Sequence, residues 1–522
     1  MNVAESLTAG GKHLLDCLCP EQNHLPYWHM VVDEDQRAEY QFRRHCNGHN
    51  VGRWWNAVLR LQATTGFDIP APVEADMLAH TWRMCDNPTG ILLDDPDPDR
   101  IDTWYIHSYR ETMLALGLLV AHRNCATARR QGLRAIAQMG KASADLTQWD
   151  LSRCGPMRCD PLLKGRGSEP CYTHGRAIEG LLCFYEATGQ QQALDEAGRL
   201  AEFHFARTVD PAGGLASGCG HHTHSYLNTV RGLVQYAALV GRPSWLETLL
   251  ATYRNAVSAM ITPSGFATHD TGDTSTRSGG DIAAAGDIAH IALLLWDHFR
   301  DPTLLDDAER LARCRLIPAQ MRELMPVRPR SDDGQDCHRD LPRRFVGAIG
   351  GSVGQAQGQT CVTDFTAAAL HSLIELYGRT VEATQDVARV NFHFDAERAG
   401  VAVRCLREGA TRRVEVRSAA PRDLLIRVPA WAPTASVQLT VNGDGEDVQM
   451  REGFAFVPSA GRQETVAVLC YALPEVTRRE AWREPAATQD HLVFHWRGDE
   501  IAGVDPIGPY LAPWPKPCGS FL

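Results

Sequence analysis

The chain has 522 residues, 44% of them hydrophobic and 22% charged, an ordinary globular composition that excludes disorder and a coiled coil. That length predicts two or more domains and a large core, with roughly three quarters of the unfolded surface buried. The formal charge is −11, from 52 Lys and Arg against 63 Asp and Glu with no basic block, which disfavours a nucleic-acid or anionic-membrane partner.

The first twenty residues lack an apolar run behind a basic start, and no later stretch reaches 18 apolar residues, so a soluble, cytoplasmic chain is expected. Sixteen cysteines are scattered without a CxxC pair, a pattern of reduced, buried thiols.

In chain order, residues 1–45 read as an N-terminal extension and residues 46–385 as a helical domain. Apolar residues there recur at helical spacing in long blocks broken near Gly66, Asn124, Gly189, Gly241, Asp301 and Gly378. Arg176 to Ala206, Tyr226 to Val257 and Asp287 to Leu316 each read helix, polar break, helix. Six such hairpins fit an (α/α)6 toroid, whose inner helices aim their N-terminal loops at a central pocket; an open solenoid is the alternative. From residue 386 to 522 the period changes to two, in short runs such as Val401-Ala402-Val403, Val414-Glu415-Val416 and Val437 to Val441. Turn residues such as Asn442-Gly443 separate them, which predicts a C-terminal antiparallel β-sandwich.

Candidate chemistry lies in the segments before the helices. His49 to Trp55 (HNVGRWW) and Trp104 to Glu111 (WYIHSYRE) mix rings with hydrogen-bonding groups, so His49, Trp55 and Arg110 are candidates for binding a sugar, with core packing the rival reading. Cys219 to Ser225 (CGHHTHS) sets three histidines before a helix, where His222 and His224 would bind metal, hold hydroxyls or move protons, or else cap the helix. Thr262 to Asp281 is rich in Gly, Ser and Thr and carries His269, Asp270, Asp273 and Asp281. Two carboxylates, one protonated and one ionised, are what glycoside hydrolysis needs; capping in a solvated loop is the other use. The run Gly347 to Thr360 leads into Cys361 at a helix start, where the helix dipole would stabilise a thiolate.

These residues resemble glycoside hydrolase family 127, the β-L-arabinofuranosidase-like proteins, over roughly residues 46–510. The likeness is carried by HNVGRWW, HTHSYLNTVRGLVQYAALVG, GDIAHIALLL, CVTDFTAAAL and, most specifically, DLLIRVPAWAPTASVQLTVNG followed by FHWRGDEIAGVDP. It implies an (α/α)6 barrel, a β-sandwich and a zinc held by a Glu-x-Cys pair and a Cys-Cys pair, one paired cysteine being the nucleophile. Here Asp281-Ile282-Ala283 and Cys361-Val362 stand at those positions, so two of three thiolates are missing and no zinc is expected. The family's acid/base is a Glu upstream of its Glu-x-Cys, and no Glu lies between Thr262 and Asp281.

The leading expectation is a glycoside hydrolase acting on a small sugar or oligosaccharide. Asp270 or Asp273 would be the acid and Asp281 the base or nucleophile, with Cys361 a further candidate. His222, His224, His269, Arg110, Trp55 and His49 would hold the carbohydrate. Two alternatives are a sugar epimerase or isomerase using paired histidines, and a non-catalytic carbohydrate-binding relative.

Overall fold

The structure is a computed structural model that describes residues 2–33, 35–43, 46–94, 103–147, 149–155, 170–272, 282–324, 327–350, 358–459, 461–481 and 491–505. Its helices in chain order are α1 (Val3–Asp16), α2 (Asn47–Thr65), α3 (Ala71–Cys85), α4 (Thr103–Arg123), α5 (Ala126–Ala142), α6 (Ala177–Thr188) and α7 (Gln191–Thr208). They continue with α8 (Thr223–Val240), α9 (Pro243–Thr252), α10 (Ile282–Phe299), α11 (Pro302–Leu311), the single turn α12 (Leu341–Arg344) and α13 (Val362–Gly378).

The breaks read from sequence end helices for identifiable reasons. Gly66, Gly189 and Gly241 close α2, α6 and α8 in the left-handed region, with φ of 73°, 65° and 71°. Asn124 adopts φ 47° between α4 and α5, and Asp301 caps α11 by accepting from the Thr303 amide at 3.0 Å. Each break is short, so the helix after it runs back along the helix before it. The first helix of every pair therefore points the same way.

Those first helices form a closed ring: α2 packs on α4, α4 on α6, α6 on α8, α8 on α10, α10 on α13, and α13 again on α2. The pairs α2/α3, α4/α5, α6/α7, α8/α9 and α10/α11 are sequential hairpins. The sixth is not, because α13 runs straight into the β region and its outer partner is α1 from the chain's beginning. The residues before 46, read from sequence as an extension, thus supply an outer helix and four strands, Leu18–Cys19, Leu25–Pro26, His29–Val32 and Arg37–Gln41.

Small residues let the inner helices approach. A Cβ on Gly52 would lie 2.6 Å from Glu111 Cβ, and one on Gly180 would lie 2.7 Å from the Arg110 carbonyl oxygen. Helix α10 is long and apolar enough to cross a membrane, yet 78% of that window is buried inside the protein, as suits an inner core helix.

The C-terminal region packs a six-stranded sheet on a five-stranded one, with alternating residues such as Val401, Val403, Val414, Val416, Leu424, Ile426 and Leu469 filling the space between. Pairing is antiparallel apart from Asp423–Arg427, which runs parallel to Val387–Val390. A further antiparallel sheet, Glu475–Ala481, His491–Arg497 and Glu500–Asp505, sets Leu492, Phe494 and Trp496 against Phe266 and Cys314 of the helical part. Ion pairs reinforce this junction. Arg427 binds Asp306 and Glu309, and Arg313 reaches Glu309 at 2.8 Å and Asp499 at 3.2 Å.

Candidate active site

Each inner helix carries a polar stripe at three- and four-residue spacing on a face that packs toward the other inner helices: His49, Arg53 and Asn56 on α2; His107, Arg110 and Glu111 on α4; Glu179 on α6; His224, Asn228 and Arg231 on α8; Asp287 and His290 on α10; Asp364 and His371 on α13. All but Asp364 are buried. Burying so many charges is tolerable only with partners, and the partners come from neighbouring helices.

At the end where the inner helices begin, Arg53 is the hub. Its guanidinium donates to His224 Nε2 at 2.8 Å and lies 3.0 Å from Asp364 Oδ1 and 3.3 Å from Glu111 Oε1. His49 Nε2 donates to the same Asp364 oxygen at 3.1 Å. On its other side, His224 donates from Nδ1 to Asp287 at 2.6 Å. Deeper down, Arg110 joins Glu111 at 2.7 Å and Glu179 at 2.8 Å, Arg176 reaches Glu111 at 3.0 Å, and Arg231 bridges Glu179 and Asp287, each at 2.7 Å. Four arginines thus face four carboxylates.

This network sets the protonation states. Burial works against the charge of Asp364, but Arg53 and then His49 overcome it, so its carboxyl is held well below the usual range. Glu111 and Glu179 are likewise held well below their ordinary value, Glu111 chiefly by Arg176 and His49, Glu179 by Arg110 and Arg231. Burial first, then Arg53 and Arg176, push His224 well below its ordinary value, so it is a neutral imidazole with both nitrogens engaged. Burial, then Arg176, does the same to His107. For Asp287, burial outweighs Arg231 and raises the carboxyl.

Around this floor runs an arc of rings. Centroids are 5.7 Å apart for Trp28 and His49, 5.0 Å for His49 and His107, 4.7 Å for His107 and Tyr172, 5.3 Å for Tyr172 and His222, and 5.4 Å for His222 and His269. Tyr172 joins it because α6 is entered through a π turn, Cys171–Gly175, which widens the backbone there. The arc climbs from buried Trp28 and His49 to half-buried His222 and exposed His269.

The sequence candidates fall into three groups. His49, His222, His224 and His269 belong to the floor or the arc. Asp270 sits on the rim: its backbone bridges to His222, and its carboxylate lies 3.3 Å from His269 Nδ1. Cys361 occupies the N-cap position of α13, half-buried and three residues before Asp364. Asp273 and Asp281 lie outside the described residues.

Two candidates need correction. Trp55 is fully buried and turned to the outer ring, its indole donating to Thr81 of α3 at 2.8 Å, because its helical position is two residues round from Arg53. Arg110 is spent on Glu111 and Glu179 within the core, so it shapes the floor from below. Sequence reasoning missed Arg53, Glu111, Asp287, His107, Tyr172 and Asp364 as site residues. The signal that would have found most of them is the i, i+4 recurrence of polar residues inside apolar helices, as in His49/Arg53 and His107/Glu111.

The donor set bears on the zinc implied by the sequence resemblance. Cys361 belongs to no cluster of three ligand groups among the described residues, and its neighbour at the second paired position is Val362. One thiol does not make the thiolate-rich site of that family.

A ring of six inner helices, a polar mouth at their N-terminal ends and a trailing sandwich define the class: a six-hairpin toroid joined to a β domain. Solved structures place it further. A family 127 β-L-arabinofuranosidase from Geobacillus stearothermophilus T6 superposes with TM-score 0.54 at 14% identity, covering 87% of this chain and 76% of that one. A second family 127 β-arabinofuranosidase gives 0.59 at 12%, covering 88% and 76%, and a protein described as a glycoside hydrolase gives 0.56 at 12%, covering 92% and 84%. The chain has the fold of glycoside hydrolase family 127. No family model and no curated protein matches its sequence.

Proposed function

We propose that the protein is a glycoside hydrolase that binds a small sugar or oligosaccharide at the mouth of the toroid. The observation that carries the proposal is Asp364: a carboxylate at the start of an inner helix, kept ionised by Arg53 and His49 and still 15% exposed beside the arc of rings. An ionised carboxylate at the mouth would serve as the base or nucleophile of glycoside hydrolysis, and a second carboxyl, the acid, must come from the opposite side. Asp270 on the rim, beside His269, is the candidate for the second carboxyl in this reading, with Asp273 and Asp281 of the same segment as its rivals. Tyr172 and His222 offer ring faces to the CH face of a sugar, while the N-terminal amides of α13 and the half-buried His222 offer hydrogen bonds to its hydroxyls. Solved proteins of the same fold described as glycosidases support the reading.

His224 supports hydrolysis over epimerisation. A proton shuttle needs a nitrogen free to accept, and here Nε2 takes the Arg53 proton while Nδ1 is committed to Asp287.

The test is release of chromophore from a panel of aryl furanosides and pyranosides by the full chain and by Asp364→Asn. Turnover of at least one member, lowered 100-fold or more in Asp364→Asn with its circular dichroism unchanged, is expected. Failure to cleave any of them, or full activity in Asp364→Asn, refutes the proposal.

A further inference from the structure

Some distance below the mouth, the polar stripe contains three buried polar atoms, one each from Glu179, His290 and His371, that the ion-pair network leaves without a hydrogen bond. Glu179 of α6, His290 of α10 and His371 of α13 are each 2% exposed, and one ligand atom from each lies within 4.8 Å of the other two. His371 Nε2 is 4.0 Å from Glu179 Oε1, too long for a hydrogen bond, and the two imidazoles meet edge to face at 5.2 Å. Glu179 Oε1, His371 Nε2 and His290 Nδ1 all lack a hydrogen-bond partner. An orphaned polar atom in a protein interior is costly, and three converging from three helices call for a common partner.

We propose that Glu179, His290 and His371 form a site for a divalent, imidazole-preferring transition metal of the zinc or iron(II) class, which ties α6, α10 and α13 together on the toroid axis. The chemistry of the donors fits: two imidazoles and a carboxylate are a common ligand set for such ions. Ligation takes both rings as neutral imidazoles. Glu179 is ionised, and its second oxygen is held by Arg110 and Arg231 at 2.8 and 2.7 Å, leaving Oε1 aimed at the histidines. Three atoms within 4.8 Å of one another lie no more than about 2.8 Å from a shared centre, so shifts below about 1 Å per ligand reach metal–ligand distances near 2.1 Å.

One rearrangement is required. The Asn56 carboxamide contacts His371 Nδ1 at 3.2 Å and accepts from Arg60 at 2.9 Å. For Nε2 to ligate, the ring proton must sit on Nδ1, so the carboxamide turns to accept it, and Arg60 keeps Glu375 at 3.2 Å and the Cys183 sulfur at 4.0 Å. No proton leaves the protein in this exchange. His371 stands ten residues along α13 from Cys361, about 15 Å down the helix, so this site is separate from the positions where the family resemblance sets zinc.

The test uses the full chain, stripped with chelator, refolded with cobalt(II) or zinc(II), and desalted. One equivalent of metal by elemental analysis, a visible cobalt band, and a raised thermal midpoint are expected. All three signals should be lost in His290→Gln and in His371→Gln and kept in Cys361→Ser. Metal retained by both histidine variants and lost from Cys361→Ser overturns the assignment. So does a folded wild-type chain that takes up no metal, in which case a bridging water is the common partner.

Discussion

Lowering the pH from 6 to 5 should destabilise the fold steeply, because three histidines are buried as neutral rings at separate points of the chain. Burial pushes His13 down to about 4, with Arg344 adding to the effect against the hydrogen bond from Nδ1 to the Arg344 carbonyl at 2.8 Å. It pushes His174 and His393 down to about 3. In the unfolded chain each titrates near 6.5, so below that pH the unfolded state binds protons that the folded state refuses, and stability falls until the pH reaches the folded value. Asp499 acts in the opposite sense: burial raises it to about 6, so between 3.8 and 6 the folded state is the one that takes up a proton. At pH 5 the three histidines contribute about 3 protons to the unfolded state and Asp499 returns about 1, a net of about 2, or roughly 3 kcal/mol per pH unit. His107, His204 and His224, all held well below their ordinary value by burial, add to the loss. Urea unfolding followed by circular dichroism and tryptophan fluorescence at pH 7, 6 and 5 measures it, with coincident transitions required at each pH. Against a typical total of about 5 to 15 kcal/mol the drop is large. A free energy constant to within about 1 kcal/mol from pH 7 to pH 5 would refute the reasoning.

Other substitutions separate the site from its scaffold. Arg53→Ala leaves Asp364, Glu111 and His224 without their shared cation and should cost about 3 to 5 kcal/mol in the same denaturation assay; a loss under 1 kcal/mol would contradict its role as hub. Gly52→Ala forces a methyl onto Glu111 at the α2/α4 crossing, so a loss of about 1 to 3 kcal/mol is expected, and a neutral result would mean the helices separate freely. Trp55→Phe removes the hydrogen bond to Thr81 and some packing, at about 1 to 3 kcal/mol of stability, with sugar affinity by calorimetry unchanged; weakened sugar binding would return Trp55 to the pocket.

Much of the fold is written in local chemistry. The helix breaks at Gly66, Asn124, Gly189 and Gly241 are left-handed caps that glycine or asparagine supplies, and the change from a 3.6 to a 2 period after residue 386 marks the sandwich. What local pattern does not carry is the closure of the ring: α13 finds its partner in α1, more than 340 residues away, and no spacing rule reports a contact of that range. The same holds for the site. Histidines ahead of helices and a helix-start cysteine stand out by type, so His49, His222, His224 and Cys361 can be singled out as candidates from the sequence. Arg53, Glu111 and Asp287 look like ordinary polar interruptions of apolar helices until the helices are arranged in a ring and those residues turn inward together. Trp55 misleads for the complementary reason: a tryptophan beside a site residue in sequence is about 200° round the helix two positions on, facing the outer ring.

The most direct measurement is a crystal structure of the full chain soaked with the sugar that its aryl glycoside identifies. The account predicts the ring lying against Tyr172 and His222 with Asp364 at the anomeric side. A sugar seated instead between the sandwich and α10, near Trp296 and Phe456, with the toroid mouth bare, would contradict it.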